Sequence, residues 1–141
     1  MNDLATAKRC AETMWAGDKA SRALGIKVEV RSAGTAIARM QVRDDMVNGL
    51  DVCHGGLLFA LADTAFAFAC NAYNRQAFAA SASIDFLRPA MLGQTLSARA
   101  TEEYRGRKGA YYNVQVENQD GDVVALFRGR STSVDKPLLE D

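Results

Sequence analysis

The run Leu57 to Cys70 constrains this chain most: leucine, phenylalanine and alanine follow one another with a single acid, Asp63, among them. A helix of that composition is apolar on nearly every face, so it has to be surrounded by protein rather than lie on a surface. Its alanines let the surrounding elements approach closely. The run falls short of the ~20 residues that a membrane-spanning helix needs, and it is not N-terminal as a signal peptide would be. An unpaired carboxylate in such a solvent-poor segment is expensive. Asp63 is therefore expected to have a use.

Residues 44 to 54 hold Asp, Asn, Gly and His without periodicity and read as a loop that leads into a helix from Gly55 to about Asn74. A helix that opens on the bare pair Gly55 and Gly56 presents unpaired N–H groups, backed by the positive end of its dipole, to an approaching oxygen. Before the loop, Leu4, Ala7, Ala11, Met14 and Trp15 recur at helical spacing over residues 3 to 16. Asp18 then caps a short helix that ends at Gly25. Alternation of Ile26, Val28 and Val30, and of Ala36, Ala38, Met40 and Val42, predicts two strands around a turn at Ser32 to Gly34. Four more strands are expected at residues 78 to 88, 94 to 104, 109 to 118 and 122 to 133, the last two joined by the hairpin signal NQDGD. A long helix wrapped by an antiparallel sheet of about six strands, with an N-terminal helical region over about 3 to 25, is an α+β domain. The charged tail, 134 to 141, is expected to fray.

At 141 residues the chain is expected to be one domain that buries roughly two-thirds of its unfolded surface. Seventeen Lys and Arg balance seventeen Asp and Glu, which leaves no long-range field to attract nucleic acid or an anionic membrane. Cys10, Cys53 and Cys70 are odd in number and lack paired spacing, which argues for a reducing compartment, the cytoplasm. One histidine and no clustered ligands argue against a metal site.

The order of elements, with HGG opening the helix and Asp63 eight residues after Gly55, resembles the hotdog-fold acyl-CoA thioesterases. The stretch NGLDVCHGGLLFALADTAFAFACN is similar to the phenylacetyl-CoA thioesterases of phenylacetate degradation, and the likeness continues through IDFLRPA and GRKGAYYNVQVENQDGDVVALFRGR. It covers roughly residues 20 to 133. The resemblance implies hydrolysis of an acyl-CoA, with an aromatic acyl group such as phenylacetyl or hydroxyphenylacetyl, to a free acid and coenzyme A without metal or redox cofactor. It assigns the Gly55 N–H to the thioester carbonyl and Asp63 to water activation or direct attack. Asn48 and His54 take supporting roles, and Thr64 is a further candidate for holding the water. Gly56 belongs to the same substrate-binding turn. A non-catalytic acyl-CoA sensor built on the same helix end is the alternative.

A rise of ~1.5 Å per residue sets Asp63 about 12 Å along the axis from Gly55, too far for both to touch one carbonyl carbon. A two-fold dimer with antiparallel helices would bring Asp63 of one subunit beside Gly55 of the other. The resemblance also implies pairs of such dimers. Arg105, Arg107 and Lys108 concentrate positive charge at one turn, suited either to the phosphates of coenzyme A or simply to solvent. Arg88, next to Pro89, serves the same end or closes a strand end against a carboxylate. Phe59, Phe66, Phe68 and Tyr73 are candidates for an acyl pocket or for ordinary core. Cys53 is discounted as a nucleophile, because adjacent side chains diverge and a reactive thiol needs an activating environment.

Overall fold

Apolar alternation along the strands builds one concave face. Ala36, Ala38 and Met40, then Leu96, Ala98 and Ala100, then Tyr112, Val114 and Val116 all point inward and are buried. In the computed structural model, which describes residues 3–140, these positions form the floor on which the central helix lies. The helices are α1 (Asp3–Gly17), α2 (Lys19–Ala23) and α3 (Gly55–Cys70). The strands are β1 (Lys27–Ser32), β2 (Thr35–Gln41), β3 (Ala77–Phe86), β4 (Thr95–Arg105), β5 (Gly109–Glu117) and β6 (Val123–Ser133). They form one sheet in the order β1-β2-β4-β5-β6-β3, every neighbour antiparallel. This is the α+β hotdog arrangement that the sequence resemblance implies.

The long helix is buried because it connects opposite regions of the sheet. The chain leaves β2, passes through the loop, runs along the concave face as α3 and returns as β3 at the far edge. Leu58, Leu61, Ala62, Ala65, Phe66, Phe68 and Ala69 are buried beneath it. Alanines on both surfaces, such as Ala65 of α3 and Ala98 of β4, shorten the distance between helix and sheet. Phe66 fills the space that remains, edge-on to Tyr112 at 5.6 Å and tilted against Phe127 at 5.8 Å between ring centres.

Two segments depart from the sequence expectation. The helix ends at Cys70 rather than near Asn74, because the Asn71 amide bonds across to β3: its Nδ2 donates to the Ala67 and Ala77 carbonyls, each at 3.0 Å, and its Oδ1 accepts from the Ala77 N–H at 2.9 Å. A side chain that satisfies the backbone in this way competes with another helical turn. The tail, expected to fray, is docked through residue 140. Asn74, in the left-handed region at φ 58°, accepts from the Leu138 and Leu139 N–H groups at 3.1 and 2.7 Å. Gln76 exchanges backbone hydrogen bonds with Val134 and Lys136, and its Nε2 donates to the Pro137 carbonyl. Hydrogen bonds, rather than apolar periodicity, hold this segment.

Helix and sheet come close together at Gly129 of β6. A Cβ there would meet the Phe66 ring at 2.9 Å, with that ring already wedged between Tyr112 and Phe127. Gly129→Ala is expected to cost about 1–3 kcal/mol through overpacking, read as a lower midpoint in urea unfolding. An unchanged midpoint would show that the ring has room to move.

Candidate active site

The start of α3 is organised to leave one donor free. His54 is the N-cap residue, and its Nδ1 accepts from the Gly56 N–H at 2.9 Å. The ring proton therefore sits on Nε2, since a nitrogen that accepts cannot also carry hydrogen. The His54 carbonyl takes the N–H groups of Leu57 and Leu58. Among the described residues, the Gly55 N–H has no acceptor. It is thus an unpaired donor at the positive end of a helix of 16 residues. Gly56, by contrast, has committed its N–H to the cap.

The loop before the helix is held by its own polar groups. Asn48 Oδ1 accepts from the Leu50 N–H at 2.9 Å and from the Val52 N–H at 3.4 Å, which closes a turn in which Asp51 is left-handed at φ 62°. Cys53 N–H donates to the Ala90 carbonyl and His54 N–H to the Met46 carbonyl, each at 2.8 Å. These bonds carry His54 to the helix start. Cys53 is buried, and burial pushes its thiol up, away from the thiolate form.

Gly55 lines a cleft of about 370 Å³ with Cys53, Leu58, Phe86, Arg88 and Pro89. The Phe86 ring lies over the glycine, where an added Cβ would meet it at 3.2 Å. Arg88 Nη1 pairs with Asp122 at 2.8 Å and fixes the end of this strand region.

Asp63 opens into a different cleft, of about 320 Å³, with Met14, Phe66, Ala67, Phe78 and Leu138 in its wall. Its carboxylate is half-buried, and among the described residues nothing donates to it or pairs with it. Burial raises its pKa above the usual Asp value. Thr64, the next residue, turns away: its hydroxyl donates to the Ala60 carbonyl at 2.7 Å and lies 3.3 Å from Ser21 Oγ of α2. Of the aromatic candidates, only Phe66 lines this cleft. Phe68 packs in the core against Trp15, and Phe59 packs edge-on to Phe127.

The basic turn lies beyond the other end of α3. The Arg105 guanidinium stacks 3.7 Å from the Tyr73 ring, and the Tyr73 hydroxyl donates to Glu102 at 2.7 Å. Burial pushes the Tyr73 phenol up to about 12, so it remains a donor. Arg107 lends its carbonyl to Arg75 at 2.8 Å, while its own side chain and that of Lys108 make no ion pair among the described residues. A groove of about 460 Å³ lies on the outer face of the sheet. There Arg128 pairs with Glu103 at 3.0 Å. Neither Gly55 nor Asp63 lines that groove.

Within one chain the candidate residues fall in separate places. His54, Gly55, Gly56, Arg88 and Pro89 cluster at the N-terminal end of α3, with Asn48 in the adjoining loop. Asp63 faces a separate cleft, and Arg105, Arg107 and Lys108 sit past the C-terminal end. The sequence assigns Met14 to an amphipathic helix and Phe86 to the IDFLRPA stretch, and neither of these nor Leu138 to a site. For Phe86 the signal is its place in that stretch. Leu138 gave none, because the tail is placed by hydrogen bonds from Asn74.

A family model described as the thioesterase superfamily matches residues 50–125. Over 121 residues the chain is 45% identical to the acyl-coenzyme A thioesterase PaaI of Escherichia coli (strain K12), covering 86% of each protein. The solved structure of the E. coli PaaI protein from the phenylacetic acid degradation operon superposes with a TM-score of 0.94 at 40% identity, covering 96% of this chain and 99% of that one. A mutant of the phenylacetic acid degradation protein PaaI from Thermus thermophilus superposes with a TM-score of 0.80 at 39% identity, covering 83% of this chain and 100% of that one. A Streptococcus mutans UA159 protein solved bound to acetyl CoA gives a TM-score of 0.76 at 25% identity, covering 79% of this chain and 90% of that one. The chain belongs to the thioesterase superfamily.

Proposed function

We propose that two copies of this chain hydrolyse acyl-CoA thioesters at shared sites, the Gly55 N–H of one subunit facing Asp63 of the other. The placement of the two half-sites at opposite ends of β3 carries this reading. Ala77, Phe78 and Ala79, at the start of β3, border the Asp63 cleft, and Phe86, at its end, borders the Gly55 cleft. β3 is an edge strand exposed along most of its length. A two-fold antiparallel pairing of β3 with its copy sets the start of one strand against the end of the other. Each Asp63 cleft is then brought to a Gly55 cleft, and two open sheet edges disappear. Leu50, exposed by 83%, and Phe86, Leu87 and Met91 form an apolar surface around the Gly55 end, as suits a face covered by a partner.

In this site the Gly55 N–H hydrogen-bonds to the thioester carbonyl. Negative charge grows on that oxygen as the tetrahedral intermediate forms, and a preorganised donor backed by a helix dipole stabilises it. Asp63, unpartnered and made more basic by burial, accepts a proton as water attacks the carbonyl carbon. Collapse of the intermediate breaks the C–S bond, and the proton held by Asp63 passes to the departing sulfur, giving the free acid and the coenzyme A thiol and restoring the carboxylate. The chemistry requires neither metal nor redox cofactor. His54 positions the oxyanion donor by occupying the neighbouring amide, and Asn48 positions His54 through the loop. Arg107 and Lys108, with Arg105 held by Tyr73, offer positive charge to the phosphates of coenzyme A. An aromatic acyl group such as phenylacetyl is favoured by the PaaI likeness. Three buried free cysteines fit a reducing compartment such as the cytoplasm.

Gly55→Pro removes the donor, and the Phe86 ring, which a Cβ at this position meets at 3.2 Å, has to shift by a few tenths of an ångström to admit it. Proline is well tolerated at the first helical position and lacks the N–H, and His54, at φ −57° and ψ 131°, already has the extended backbone that precedes proline. The variant is expected to stay folded by circular dichroism and to lose about 10²- to 10³-fold in kcat, measured as thiol release from phenylacetyl-CoA. Asp63→Asn is expected to lose about 10²- to 10⁴-fold. Wild-type turnover in either variant would contradict this chemistry, and absence of thiol release by the unmodified protein across acyl-CoAs would favour a binding role.

Asp63 also makes a stability prediction. Burial raises its pKa in the folded state, so the native protein binds a proton more readily than the unfolded chain, and stability falls as pH climbs from the ordinary Asp value through the raised one. Asp63→Asn should raise Tm at pH 7, with the gain vanishing below about pH 4, where both states are protonated. An equal or lower Tm at pH 7 would show that the carboxylate is not under desolvation stress.

A further inference from the structure

The Asp63 cleft is closed by two segments that flank the stretch matched by the family model. α1 contributes Met14, and the docked tail contributes Leu138. Both are half-buried apolar side chains at a cleft whose accessible surface is mainly apolar. Cys70 and Asn71, in the same wall, lie seven and eight residues beyond Asp63, which places the far end of the cleft about 10–12 Å from the carboxylate along the helix axis. At about 320 Å³ the space is at the small end of ligand clefts, which run from roughly 300 to 1,000 Å³. It is large enough to take one aromatic ring.

The tail does not reach this position by apolar packing alone. Asn74 takes a backbone conformation uncommon for any residue but glycine and spends its side-chain oxygen on two consecutive N–H groups of the tail. A single residue thus ties the chain just past the central helix to the tail, the element that carries Leu138 to the cleft.

We infer that Met14 and Leu138 form the wall that limits acyl-group size beside Asp63, and that Asn74 is the positioning residue that holds the Leu138 side of this wall in place. The inference rests on the hydrolytic reading above, since it treats the Asp63 cleft as the acyl pocket. Removing the Leu138 side chain deepens the pocket. Enlarging that side chain fills it. Freeing the tail at Asn74 removes the Leu138 side of the wall without altering any group that lines the cleft.

The test compares kcat/KM for acetyl-, phenylacetyl- and biphenylacetyl-CoA, by thiol release, in the full-length protein and in Leu138→Ala, Leu138→Trp, Asn74→Ala and Asn74→Asp. Leu138→Ala and Asn74→Ala are expected to raise the biphenylacetyl-to-phenylacetyl ratio on the order of tenfold, and Leu138→Trp to lower the phenylacetyl-to-acetyl ratio by a similar factor. Asn74→Asp keeps an acceptor and tolerates the left-handed backbone, so it should hold the wild-type ratios. Circular dichroism and Tm report folding for each variant. Ratios within twofold of wild type in both Leu138 variants would overturn the inference while leaving the hydrolytic reading intact. No hydrolysis of any thioester by the wild-type protein would overturn both. Changed ratios in Asn74→Asp equal to those in Asn74→Ala would remove Asn74 from its positioning role.

Discussion

Burial of one helix with no polar face is the constraint from which the remaining structure follows. Sixteen residues of α3 carry too much apolar surface for any two-layer contact with a flat partner, so the sheet curves round them. Small side chains on the facing strands let it come close. At Gly129 the contact is between an aromatic ring and bare backbone, which turns general apolar burial into a fixed register between helix and sheet. That register determines where Gly55 and Asp63 emerge.

The helix is enclosed on the side of the sheet centre and exposed toward β3. There the inward positions Ala82 and Phe86 stay exposed in the single chain. A strand edge, an uncovered inner face and two clefts coincide along one border of the molecule. Each alone has an ordinary explanation, since edges can be solvated and apolar residues occur on surfaces. Their coincidence with an unpaired amide at one end and an unpaired carboxylate near the other is what the proposed shared site rests on.

Much of this was legible in the sequence. Strand patterning located all six strands within two residues of their observed ends; in all but β3, which is exposed along most of its length, one face lies on the core and side chains at those positions cannot be exchanged. Asp18 and its short helix were likewise readable from the capping side chain, whose oxygen accepts from Ser21 N–H at 2.9 Å. The glycine pair and Asp63 stood out because bare backbone and a carboxylate are both costly in an apolar run. What stayed hidden depends on side chains bonding to distant backbone: Asn71 stops the helix by pairing with Ala77, and Asn74 pins a tail some 64 residues away. Polar residues in loops carry no periodic signature, so such bonds cannot be anticipated from spacing. The division of labour between Gly55 and Gly56 was hidden too, because it is decided by the direction of the His54 ring.

Subunit complementation probes the shared site most directly. Asp63→Asn and Gly55→Pro chains, each inactive alone, are unfolded together and refolded as an equimolar mixture, and thiol release is compared with refolded wild type. A site built from both subunits predicts that roughly half of the dimers pair unlike chains and that each of these regains one intact site, restoring roughly a quarter of wild-type activity. Activity no higher than that of the separate variants, in a mixture shown to contain unlike pairs, would contradict it.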